Sequence, residues 1–225
     1  MNRHAAPNPG VVATVFTVLF LAGLVPVTNI TDSTHFPSPL QAANEIEAYF
    51  ATHMSRVGIC AALQFGSMIA LGIYTAAMVS RLRFHGLRVA GVDIALFGGF
   101  TAAIMAMVAT VGQWALSRPG VGDNGPIARA IYDLVFAAGG PGYTVPLGLL
   151  CAGIAVPSLF GGQLSRRLAW AGIAIGVVGE LSALSFVIPD ALFLVPLTRF
   201  PAFVWLIWAG FRLSPTRTES ARGPD

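Results

Sequence analysis

The sequence predicts an all-α membrane protein: a bundle of six transmembrane helices with both termini on the cytoplasmic side. Three observations predict it. Only 10% of the 225 residues are charged and the mean hydropathy is +0.72. A soluble domain carries about 25% charged residues, so this chain lacks the polar surface to face water all round. The apolar residues also fall into long segments of span length separated by short turns, and no window is polar enough for a soluble domain. Residues 1–213 therefore read as one membrane domain, followed by a short polar and disordered tail, 214–225.

A helix needs about 20 mostly apolar residues to cross about 30 Å of hydrocarbon. The first such segment is 11–27, behind a polar start with Arg3 and His4. It reads as a retained span because no small-residue cleavage site follows it, as a secretory signal would require. Residues 28–39 are a polar loop ending in prolines. The stretch 40–82 is too long for one straight span, so its start reads as an interfacial helix feeding a second span, 56–80. The third covers 89–116.

Asp123-Asn-Gly-Pro126 marks a turn and a helix start, since proline fits the first helical position. From 127 to 160 the apolar pattern is again too long for one span. Two readings fit: a single tilted helix broken at Gly139–Gly142, or an interfacial segment 127–138 before a true span at 143–160. The fifth span is 168–188, Pro189-Asp190 a tight turn, and the sixth 191–213.

Orientation follows from arginine. Arg81, Arg83 and Arg88 lie between spans two and three, Arg166 and Arg167 between four and five, and Arg212, Arg217 and Arg222 at the C-terminus. The alternate loops hold Asp32, Glu45, Glu47, Asp123 and Asp190. Both termini are then cytoplasmic. Trp114, Trp170 and Trp208 fall where interfacial anchors belong.

Composition excludes several chemistries. All thirteen basic residues are arginine, and without lysine there is no Schiff base to retinal or pyridoxal phosphate. The arginines read as topology signals, so no nucleic-acid surface is expected. Cys60 and Cys151 lack ligand spacing and a nearby histidine, which leaves no zinc site. The histidines at 4, 35, 53 and 85 lie in tails, loops or the interface, so none could ligate a midplane haem. Phosphate-loop, dinucleotide and metalloprotease motifs are absent, as is the hydrolase nucleophile elbow. No cofactor and no metal is expected.

What remains is a set of polar groups inside apolar segments. Glu180 sits roughly 12 Å and Arg199 roughly 15 Å from the outer turn at 1.5 Å per residue, on antiparallel neighbours. A charge at that depth costs at least ~2.5–3.5 kcal/mol, and pairing offsets it. Two readings stay open: a structural ion pair, or a polar anchor for a ligand. Glu45, Tyr49, His53, Arg56, Cys60, Gln64 and Ser67 recur every three or four residues, which places them on one helical face. That face descends from the outer interface toward midplane and predicts an outward-open cleft, with Gln64 and His53 on it. Asp133, and Tyr143 after the helix break, add polar groups, and broken helices at membrane depth are tolerated where they line a cavity.

The segment 140–213 carries Pro146-Leu-Gly-Leu-Leu, then Leu164-Ser-Arg-Arg-Leu-Ala-Trp-Ala-Gly, and ends in Phe203-Val-Trp-Leu-Ile-Trp-Ala-Gly-Phe-Arg-Leu. It resembles a group of small bacterial, often actinobacterial, multi-span membrane proteins that share a domain of unknown function. The resemblance covers the C-terminal third. It implies a six-span fold in the bacterial plasma (inner) membrane and supplies no activity.

The leading functional expectation is a cleft between spans two, four, five and six that binds or translocates a lipid-like or small amphipathic molecule. Glu180 and Arg199 would anchor it, with Gln64, Tyr143, Asp133 and His53 as further contacts. Two other classes are carried beside it. One is a structural or accessory subunit, using the small-residue face of Gly172 and Gly176 for homo- or hetero-oligomer contact. The other is an intramembrane enzyme acting on a lipid or isoprenoid, with Glu180 or Asp133 as general acid.

Overall fold

The computed structural model describes residues 2–3, 6–28, 36–213 and 216–217. Expectations that fall on His4, Asp32, His35, Arg222 or the remaining tail positions 214–215 and 218–225 lie outside the described residues. The chain is helical almost throughout. Helix α1 is Pro9–Leu24, α2 Ala43–Phe84, α3 Ala90–Leu116, α4 Gly125–Gly139, α5 Pro141–Phe160, α6 Arg166–Leu181 and α7 Leu194–Arg212. Two short 3-10 turns, Ser182–Phe186 and Pro189–Phe193, join α6 to α7.

Five segments are long and apolar enough to cross a membrane: α2, α3, α4 running into α5, α6 with its 3-10 extension, and α7 with its own. Helix α1 is equally apolar but has only 16 residues. The outward faces carry many large apolar side chains. Val11, Val18, Ile59, Phe97, Ile104, Trp170 and Val204 are each more than half exposed. A monomer in water rarely presents so much contiguous apolar surface, whereas hydrocarbon solvates it.

Local signals set the helix ends. Asn8 accepts from the Gly10 amide at 2.9 Å, Asn124 from Ile127 at 3.5 Å, and Ser165 from Leu168 at 3.4 Å, each as an N-cap. Inside α2, His53 leaves helical geometry at φ −116°, ψ 24°, so the expected interfacial segment and second span are one helix with a kink between them.

The α4–α5 break resolves the open alternative in the middle of the chain. Together the two helices run antiparallel along the whole of α3. A Cβ on Gly112 would meet Val135, one on Gly139 would meet Ala109, and one on Gly91 would meet Pro157. The segment 127–138 thus continues the line of α5 beside α3 instead of turning away as a separate surface helix. The break itself is chemical. Pro141 has no N–H to continue the ladder, and Gly140 takes φ −88°, ψ −110°.

Six rods form a closed ring: α1, α2, α3, the α4–α5 line, α6, α7 and back to α1. Glycine mediates most of the seams. Gly98 and Gly153 bring α3 onto α5, Gly148 faces Gly176 and Gly179 between α5 and α6, and Gly10 meets Gly210 between α1 and α7. Small residues let backbones approach, so dispersion can hold helices together where lipid supplies no hydrophobic drive. The Gly172–Gly176 face packs inside the chain: Gly172 lies under Trp205 and Gly176 against Ala152.

Both chain ends meet at one end of the ring. The buried Arg81 donates to the Leu213 carbonyl at 3.0 Å and to that of Pro7 at 3.5 Å. Beyond it, Asn2 pairs with Arg217 and Arg3 with Thr216 in a short antiparallel ladder.

Candidate functional site: an arginine-floored cavity

In the opposite half of the ring, the rods part around a cavity of about 520 Å³. Its walls are apolar: Phe20 and Leu24 from α1, Met68 from α2, Ala106 from α3, Val135 and Phe136 from α4, and Val195 and Phe200 from α7. The polar groups are few. They include Gln64, Thr110, Gln113, Tyr143, Arg199 and the backbone of Gly139 and Gly140. At the far end Phe36, Pro37 and Pro39 reach over the mouth. That strap is held by Tyr132, whose hydroxyl donates to Pro37, and by Arg129, which donates to Pro39 at 3.2 Å and Gln41 at 3.1 Å. Below the cavity Phe16, Leu71, Tyr74 and Met78 are fully buried and pack the other half of the bundle shut.

Arg199 is the cation of this site, and the helix break places it. Downstream of Pro141 the Tyr143 amide turns to the Gly140 carbonyl at 3.1 Å, which leaves the Gly139 carbonyl without its usual helical donor. Arg199 on α7 reaches across and donates Nη2 to that carbonyl. Its guanidinium also lies between two rings, 5.5 Å from the centroid of Phe20 and 5.4 Å from that of Tyr143. Each cation–π contact contributes ~0.5–2 kcal/mol. Among the described residues no carboxylate completes the arrangement. The Nε of Arg199 and the hydroxyl of Tyr143 are buried with no hydrogen-bond partner. A positive charge, an unsatisfied N–H and an unsatisfied phenol thus share one apolar cavity, a donor set complementary to an anion.

Three of the six expected site residues come together here: Arg199, Tyr143 and Gln64 all line the cavity. The other three do not. Glu180 is exposed on the outer face of α6 and makes no ion pair with Arg199. The reason is rotational. The glycines at 172, 176 and 179 turn their own stripe toward α5, which points Glu180 away. Asp133 is exposed and bonds Arg129 at 3.0 Å, one turn away on α4. His53 sits at the kink of α2, stacked on Tyr49 at 4.7 Å with Nδ1 2.9 Å from the Tyr49 carbonyl. The polar face of α2 enters the bundle at Tyr49, which donates to the Val27 carbonyl at 3.2 Å, and again from Cys60, which donates to Gln113 at 3.7 Å.

The walls also differ from expectation. Spans two, four and six contribute, but α6 takes no part, and α1 and α3 close the ring in its place. Phe20 and Gln113 were not anticipated as site residues. Phe20 is one aromatic among many in an apolar run, and nothing local separates it from core. Since Glu180 stands outside the cavity, Glu180→Gln is expected to leave ligand binding unchanged. A loss of binding in an equilibrium titration of that variant would move the site to α6.

The features above define the class: a multi-pass helical membrane protein with an internal cavity. No protein-family model, curated protein or solved structure matches the chain.

Proposed function

We propose that the chain is a six-span membrane protein that binds, or hands across its outer half, a lipid-like or small amphipathic molecule whose anionic head sits on Arg199. Helix α1 with its following turn serves as the first span, and both termini face the cytoplasm. The clustering of Arg81, Arg83, Arg88, Arg166, Arg167 and Arg212 toward the end that holds the termini supports this orientation. The resemblance of the C-terminal third supports a bacterial plasma (inner) membrane.

The observation that carries the reading is the half-buried Arg199, its Nε buried without a partner, held by a carbonyl and two rings and, among the described residues, by no counter-charge. A cation is tolerated in such a place when an anion completes it. The apolar walls suit a hydrocarbon tail, and Gln64 and Tyr143 supply orienting hydrogen bonds. In the same half of the ring, α4 and α7 make at most marginal contact, and Phe136 and Phe200 line the cavity from either side. A tail could enter there from the bilayer. Among the described residues no Asp or Glu lines the cavity, which favours binding over the general-acid alternative.

The test is mass spectrometry of small molecules that co-purify in mild detergent with wild type and with Arg199→Gln. A defined anionic amphiphile held by wild type and missing from the variant is the expected result. Matching profiles would overturn the reading.

A further inference from the structure

A second concavity, of about 780 Å³, opens between α6 and α7 at the other end of the molecule. We propose that it is a binding groove for an anionic phospholipid of the leaflet nearest the chain termini. It is separate from the Arg199 cavity and independent of it. Two arginines guard its mouth: Arg167 in the first turn of α6 and Arg212 at the last residue of α7. Both are exposed, and among the described residues neither is paired with a carboxylate.

From this mouth the lining turns apolar. It runs along α6 through Ala171 to Ile175 and along α7 past Trp208 to Pro201. Eight residues of α6 separate Arg167 from Ile175, and eleven of α7 separate Arg212 from Pro201. At 1.5 Å per residue the groove extends roughly 12–16 Å along the helices, the reach of much of an acyl chain within one leaflet. Positive charge at the membrane surface over an apolar channel is the complement of a negative headgroup on a hydrocarbon tail, and basic pockets between helices at that surface select anionic lipids. Trp208, more than half exposed beside Arg212, fits the headgroup boundary.

The groove has its shape because two contacts hold the helices apart and together. Trp205 of α7 donates Nε1 to the Leu168 carbonyl at 2.7 Å, and its ring lies over Gly172. The indole acts as a spacer, keeping α6 and α7 from closing on each other below the arginines.

The test compares thermal unfolding of the purified chain in nonionic detergent with phosphatidylglycerol, with phosphatidylcholine of the same acyl chains, or with inorganic phosphate. Phosphatidylglycerol is expected to raise Tm by at least roughly 4 °C over phosphatidylcholine, as two arginine–headgroup contacts would. The phosphate arm should show no rise. Arg167→Gln/Arg212→Gln should lose the difference, while Arg118→Gln, at the opposite end, keeps it. Ala171→Phe, which fills the groove with both charges intact, should lose it as well. Equal shifts from the two lipids, a rise with phosphate alone, or a rise that survives the double variant would each overturn the assignment. Elution as a dimer with Arg167→Cys cross-linking between copies would assign the groove to a second copy instead.

Discussion

Arg199→Gln is expected to weaken binding of the cavity's anionic amphiphile at least ~30-fold while leaving the ligand-free protein no less stable. Both halves follow from one arrangement. Truncating one partner of a buried, hydrogen-bonded charge pair costs ~2–5 kcal/mol of binding, and each 1.4 kcal/mol is a factor of ten. In the ligand-free state the same charge has no counter-ion among the described residues. It is offset only by the Gly139 carbonyl and the rings of Phe20 and Tyr143. A charge-assisted hydrogen bond contributes ~1.5–3 kcal/mol, and leaving water costs an ion several kcal/mol. Glutamine keeps a donor for Gly139 and removes the charge. Titration of the ligand and thermal unfolding of the same sample check the pair of outcomes. A fall in both together would make Arg199 a brace for the α4–α5 break and nothing more.

Gly153→Val should give a large loss of stability. A Cβ at Gly153 would stand 2.6 Å from the amide nitrogen of Ala95 and 2.7 Å from the carbonyl oxygen of Gly91. Those are backbone atoms of a straight helix, so α3 and α5 must separate along their shared seam. Overpacking a tight contact costs ~1–3 kcal/mol and more when backbone must move. The expected loss is about 3 kcal/mol or more, or roughly 6–12 °C in Tm. Gly66→Ala supplies the contrast. Nothing lies within 4 Å of a Cβ there, so the variant should gain ~0.5–1 kcal/mol from helix propensity alone. Thermal melts in detergent decide between them, and equal small shifts would refute the close approach of α3 and α5.

The two variants also separate what was legible in the chain from what was not. The glycines at 172, 176 and 179 announced a close-packed face by spacing, and that face exists. Which helix fills it was not encoded locally. Gly148 and Ala152 of α5, with Trp205 of α7, fill it.

Arg199 and Glu180 show the same division more sharply. Depth along the membrane normal follows from counting residues, and counting placed both charges at comparable depth. Pairing needs rotation as well, and each helix's rotation is set by the neighbour its small residues seek. The glycine stripe of α6 faces α5, so Glu180 points outward, while α7 turns Arg199 inward to a carbonyl released by Pro141. No pattern of charges in the sequence marks a backbone carbonyl as a partner.

By itself, then, the sequence determined the helical class, the positions of the long apolar helices and the fact that the chain breaks near Gly140. Hydrocarbon length, proline's missing N–H and the cost of exposed charge act locally and leave local signatures. The tertiary structure alone decided the ring order, the aromatic pair around Arg199, the exclusion of α6 from the cavity and the separation of Glu180 from its expected partner. Those depend on which helices touch and at what rotation, a choice made by close packing between residues far apart in the chain.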